Sequence, residues 1–254
     1  MTSKASTSYR RAVLGMSSGS VDRHMLQAAA EFARLLELEM LGVFIEDQSL
    51  IDLAGLPFTR ELRMPGHEWR MMEPQRVDDE LRAAAQQAAR LFQREIKSQG
   101  LACRFEVRRG SPVTLASKVA QATDVLILAE PAALDLLAPG SEPARQAAEA
   151  SAAAVLLLPR TGMPRHGPVA AVAASRSDAC FELAARIAAG TGEKAFAIPP
   201  VEPASSAALM ESLQRALGGR HERLLVLRRQ ATMPKEMLLD VATRRKTPVL
   251  AVAS

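Results

Sequence analysis

The chain has 254 residues, enough for one large domain or two small ones with a proper core. At 48% hydrophobic and 24% charged residues its composition is ordinary for a globular protein, which excludes an intrinsically disordered chain. Against 28 acidic residues stand 32 basic ones, and the resulting net charge of +4 permits contact with nucleic acid or anionic lipid without arguing for either. No apolar run approaches the roughly 18–20 residues of a membrane span. The N-terminal MTSKASTSYRRAVLGM lacks the apolar core of a signal peptide, so the expectation is a cytoplasmic protein without membrane contact. Cys103 and Cys180 lie far apart in apolar patterns and read as small core residues. The four histidines, His24, His67, His166 and His221, show no metal-ligand spacing, so no metal site is expected.

Residues 11–16, RAVLGM, read as a short apolar strand. Ser20 is placed to cap the next helix, with Asp22 in its first turn, and Met25, Leu26, Ala29, Phe32, Ala33 and Leu36 recur at helical spacing. A second strand, LEMLGVFIE, ends near Glu46. Val77, Leu81, Ala84, Ala88, Leu91, Phe92 and Ile96 trace one face of a long helix closed by Gly100. Leu101, Cys103, Phe105 and Val107 then alternate with polar residues, the pattern of a half-buried strand such as one at a sheet edge. GSPVTLASKVAQA opens a helix with Ser111 as cap and Pro112 at its first position. DVLILAE is a buried strand, EPARQAAEAS a helix and AAAVLLLP a fifth strand. This βαβαβαβαβ order demands a mostly parallel sheet with helices on both faces.

The pattern then starts again. GPVAAVAASRSDACFELAARIAAG matches RRAVLGMSSGSVDRHMLQAAAEFA as strand, Ser-rich turn and Ala-rich helix. EKAFAI, SSAALMESLQRALGG, RLLVLRR, MPKEMLLDVATRRK and TPVLAVAS continue it as strand, helix, strand, helix and strand. The helix of 77–99 and the strand of 101–108 have no counterpart in this second copy. Residues 160–167 therefore link a first domain, 10–159, to a shortened second one, 167–254. Both fifth strands are almost wholly apolar and would aggregate as open edges, so they are expected to meet each other.

The strand–turn–Ala-rich helix at 11–36, the VRRGSP turn at 107–112, the DVLILAE strand and Gly140-Ser141 ahead of VLLLP resemble the universal stress protein family, in tandem. The resemblance implies an α/β architecture of two doubly wound, Rossmann-like parallel-sheet domains in a pseudo-dimer through their fifth strands, and a role in stress response. One branch of that family binds ATP, through an acidic residue ending the first strand, a Gly-x-x-Gly loop after the fourth, and a later Gly-Ser or Gly-Thr. Here the first strand ends in Met16-Ser17-Ser18, and Glu130-Pro131 stand where the glycines are wanted. Proline removes an amide donor and Glu130 repels phosphate, so no cofactor is expected and ATP is disfavoured. Only Gly140 and Ser141 survive, and a turn and cap before helix 142–151 accounts for them more simply than a phosphate site does.

Arg108-Arg109-Gly110-Ser111 sets two cations beside a helix start. Ser17, Ser18, Arg109, Gly110, Gly140 and Ser141 are thus the candidate anion site, unless the arginine pair only marks a strand emerging into water. No nucleophile–base–acid arrangement assembles, and no Gly-x-Ser-x-Gly elbow surrounds Ser17, Ser18 or Ser20, so no catalytic residue is assigned. Asp78, Asp79 and Glu80 read as serving the helix dipole. The long insert at 48–76 holds the single tryptophan, Trp69, with Phe58, Met71 and Met72 among arginines. That composition suits a protein-binding surface, or else a lid or short helix packed on its own domain. Stacking on single-stranded nucleic acid would want more aromatics. The expectation is a non-enzymatic, tandem universal-stress-type protein acting through ligand or partner binding. A nucleotide-binding regulator with an altered phosphate loop and a hydrolase on the same fold are the alternatives. Further homo-oligomerisation and any redox role of the thiols stay open.

Overall fold

In chain order the elements are β1 (Arg11–Met16), α1 (Arg23–Leu35), β2 (Glu39–Asp47), α2 (Gln48–Ala54), β3 (Arg60–Arg63), β4 (Glu68–Met71), α3 (Pro74–Ser98), β5 (Cys103–Gly110), β6 (Asp124–Ala129) and β7 (Ala154–Leu158). There follow β8 (Val169–Val172), α4 (Ala179–Thr191), β9 (Ala195–Ile198), α5 (Ser206–Leu217), β10 (Leu224–Arg228), α6 (Met237–Arg245) and β11 (Val249–Val252). The computed structural model describes residues 9–18, 21–63, 66, 68–110, 119–129, 153–159, 161–200, 205–229 and 237–253.

Nine strands form one sheet in the order β5-β2-β1-β6-β7-β11-β10-β8-β9, and β3 and β4 form a separate hairpin. Every neighbouring pair of the large sheet is parallel except β7 with β11, which run antiparallel with Leu156 opposite Leu250. Outward from that junction the order is β6-β1-β2-β5 on one side and β10-β8-β9 on the other. The described part of the second half thus follows the first and stops one strand short. The apolar runs of β7 and β11 explain the junction, because an exposed backbone edge flanked by such side chains would recruit other chains.

The alternation in β5 corresponds to its place at the outer edge, where Phe105 packs on Phe92 while Arg104 and Arg108 face solvent. The strand runs two residues further than its alternation indicates. Arg109 and Gly110 therefore lie within the β-ladder opposite Glu46 and Asp47, rather than in a turn. Helix α1 is capped by Asp22, whose Oδ1 accepts the His24 amide at 3.0 Å, not by Ser20, which lies outside the described residues. Both are capping types; the chain turns helical only after the second. Ser111 and Pro112 also lie outside the described residues.

One apolar cluster runs through both halves, from Leu14, Leu26 and Phe92 in the first to Val169, Cys180 and Leu250 in the second. Alanines 28, 29, 30 and 33 keep α1 slim enough to lie against the sheet and against α4. The buried guanidinium of Arg223, just before β10, donates to Glu31 of α1 and ties the halves together on this face. A charge buried there needs such a partner, since an unpaired one would be costly.

Gly42 in β2 faces the aromatic pair. A Cβ at this position would meet Met16 Cε at 2.8 Å and both Phe105 and Phe92 at 3.0 Å. Gly42→Ala is expected to lower stability by about 1–3 kcal/mol through overpacking. Urea unfolding measures it, and a variant as stable as the parent would contradict this packing.

Candidate functional site

A doubly wound sheet holds ligands above the carboxyl ends of its strands, where the strand order reverses. In the first half this point lies between β1 and β6, since the chain leaves β1 for β2 on one side and returns to β6 on the other. Ser17 and Ser18 directly follow β1 and stand at the mouth of this crevice. Gly140 and Ser141 lie outside the described residues, as do Glu130 and Pro131.

Arg109 stands elsewhere. β5 is separated from β1 by β2, so Arg109 and Gly110 sit two strand spacings from the serines, roughly 10 Å across the sheet. The Arg109 guanidinium is already engaged. Its Nε and Nη2 donate to Glu46 Oε2 at 3.0 and 2.8 Å, and Nη2 also donates to Asp78. Asp78 in turn holds Arg82 at 2.7 Å, one helical turn on. The hydrogen bonds to Glu46, with those to Asp78 behind them, raise the Arg109 pKa further above its ordinary value.

Two arginines, a buried glutamate and an aspartate thus neutralise one another over the ends of β2 and β5. This corrects the reading of Asp78 as a residue serving only the helix dipole, and it commits the Nε and Nη2 donors of Arg109 to carboxylates of the protein itself. Glu46 went unnoticed because a single acid at a strand end carries no motif. Only the parallel register, Arg109 beside Glu46, gives it a partner.

In the second half the corresponding point lies between β8 and β10 and opens at the opposite end of the sheet, because β7 and β11 are antiparallel. Asp178 caps α4 by accepting the Cys180 amide at 2.9 Å, and Arg228 approaches Asp178 at 3.4 Å. Both cysteines are free thiols, Cys103 half-buried and Cys180 buried. Burial, with the Asp178 carboxylate behind it, pushes the Cys180 thiol up to about 11. Burial likewise pushes the Tyr9 phenol, which lies near it, up to about 12.

The insert is built as α2 followed by the β3–β4 hairpin. Asp47 caps α2, its Oδ1 accepting the Ser49 amide at 2.9 Å and hydroxyl at 2.6 Å. In the hairpin Leu62 is paired with Trp69 and Arg60 with Met71, so these four side chains share one face. Glu61 and Arg70 share the other, and Glu61 accepts a bond from Arg76 in the first turn of α3. The face with Leu62, Trp69 and Met71 is therefore turned away from α3. Phe58 is 87% exposed and Trp69 63%, and Leu53 and Leu56 are exposed beside them in the chain. Met72, one residue past Met71, points the other way and packs with Ala54, Val77 and Leu81, so it leaves the candidate surface.

No family model matches the sequence, and no curated protein matches it. Among solved structures, the fold is similar to a universal stress protein from Archaeoglobus fulgidus, with a TM-score of 0.62 and 11% identity over 97% of this chain and 98% of that one. It is also similar to a functionally unknown protein from Pseudomonas aeruginosa PAO1, with a TM-score of 0.50 and 13% identity over 99% of this chain and 95% of that one. The chain has the doubly wound fold of the universal stress proteins. No described helix is long and apolar enough to cross a membrane.

Cys180 and Tyr9 hold their protons more tightly in the folded chain than in the unfolded one, whose values are 9.0 and 10.0. The stability they contribute is complete below pH 9 and is lost as pH rises through about 11 and 12. Urea midpoints are expected to fall above pH 9, and less steeply in Cys180→Ala. Equal pH profiles for parent and variant would rule out this coupling.

Proposed function

We propose that the chain is a tandem universal-stress-type protein, with copies at 10–159 and 167–254, that acts in stress response by binding a partner rather than by catalysis. The outward apolar face of the 48–76 insert supports this reading. Monomeric soluble proteins seldom expose contiguous apolar surface without a use for it, and aromatic, Met and Arg side chains are those that interfaces concentrate. Here the hairpin turns Glu61 toward the protein and leaves Trp69 to solvent, against the usual hydrophobic order. Trp69→Ala is expected to change stability by less than about 0.5 kcal/mol, as for other exposed positions. The same substitution, combined with Phe58→Ala, should abolish capture of a stoichiometric partner that the parent chain retains. Identical captured proteins for parent and variant, or a large loss of stability in Trp69→Ala, would reject the surface.

A nucleotide-binding regulator is the second reading, and the crevice between β1 and β6 favours it. Against it stand Ser17 and Ser18 at the position of the family's acid, Glu130-Pro131 in the sequence of the fourth-strand loop, and an Arg109 held by Glu46 and Asp78. Each charge-assisted phosphate bond lost costs about 1.5–3 kcal/mol, and two such losses weaken binding on the order of a hundredfold or more. Calorimetry with ATP and magnesium is expected to show no binding at micromolar concentrations. A micromolar dissociation constant abolished by Ser141→Ala would establish the second reading instead.

A further inference from the structure

β5 closes the sheet on its first-half side, and all eight of its residues are in register with Met40–Asp47 of β2. Among the described residues no strand pairs with its other edge. The Met40 amide donates to the Ala102 carbonyl, so the backbone groups of Ala102 face β2. These groups alternate along a strand. Those of Cys103, Phe105, Val107 and Arg109 therefore point outward, unpaired by the sheet. Side chains alternate too, placing Arg104, Glu106 and Arg108 on one face and Val107, 47% exposed, on the other.

Natural edges are commonly blunted by charged side chains, proline or bulges. Here the charges differ in sign, and Arg108 bonds Glu106 through Nε at 3.0 Å and Nη2 at 2.6 Å. Read backwards, Glu106-Val107-Arg108 is its own electrostatic complement.

We propose that β5 is the surface on which a second copy of this chain docks, antiparallel about a two-fold axis at Val107, joining two nine-stranded sheets edge to edge. Val107 then stands opposite Val107 of the second copy. Phe105 stands opposite Arg109 of the second copy, and Arg109 opposite its Phe105. All of these positions have outward backbone groups, so each pair exchanges two hydrogen bonds. Glu106 faces Arg108 of the second copy, and Arg108 its Glu106, at the intervening positions where side chains approach most closely. Sliding one strand by two residues sets Glu106 against Glu106 or Arg108 against Arg108. Sliding it by one turns the backbone donors away from each other. A contact of this kind is isologous, as two-fold dimers require.

Sedimentation velocity of the full chain tests the proposal. The parent is expected to run as a dimer at micromolar concentration. Arg108→Glu, which sets two glutamates face to face, should weaken the dimer at least about tenfold. The double reversal Glu106→Arg with Arg108→Glu should restore it. Val107→Pro removes only an outward amide, so it should give a monomer with an unchanged far-UV circular dichroism spectrum. A parent that stays monomeric, a dimer indifferent to Arg108→Glu and Val107→Pro, or a double reversal that fails to rescue would each overturn it. The insert's role as a partner surface stands or falls separately, since Trp69→Ala leaves β5 untouched.

Discussion

The antiparallel contact of β7 with β11 is the constraint from which the rest of the structure follows. AVLLL and VLAV carry almost no polar side chain to spare, so neither can end a sheet in water. Pairing them puts the two most apolar strands at the centre and pushes the half-buried strands, β5 and β9, to the margins. It also lets one hydrophobic cluster extend from α1 and α3 to α4, so the halves share a core instead of merely touching. Because the junction is antiparallel, the carboxyl ends of the two sets of strands lie at opposite ends of the sheet. A ligand in one crevice has no contact with a ligand in the other.

Most of this was legible in the sequence where burial imposes a pattern. β6, β7, β10 and β11 announce themselves as unbroken apolar runs, and β5 by strict alternation, because a strand with one wet face has no other way to be stable. The insert was not legible as a hairpin. RELR and EWRM are short, and with no core to enforce alternation only Leu62, Trp69 and Met71 mark their outward face. Met72 was grouped with Met71 for its chemistry, whereas the two-residue period of a strand sends neighbours to opposite sides. The cap of α1 was misplaced by two residues because Ser20 and Asp22 offer the same chemistry and only the backbone distinguishes them.

The candidate anion site shows a different limit. A pair of arginines at a strand end invites a phosphate when read alone, and the sequence hides how the fold employs them. Glu46 is 63 positions from Arg109 and Asp78 is 31, yet register and helix placement bring all three together. Arg108, one residue earlier, points to the opposite face and bonds Glu106. Two adjacent cations thus belong to two unrelated electrostatic groups. Reading such a pair as one patch treats a strand as though it had a single side.

The central junction also has a temporal side. During synthesis β7 emerges about ninety residues before β11, which at translation speeds near 5–20 residues per second leaves it unpaired on one edge for roughly 5–20 s. The first half can assemble its own parallel strands in that interval, but its most apolar edge stays open until β11 has been made. Nascent chains stalled between β7 and β11 would carry that edge into a crowded environment, where chaperones or premature pairing with a neighbouring ribosome's product compete for it. The arrival of β11 is then the step that closes the central seam.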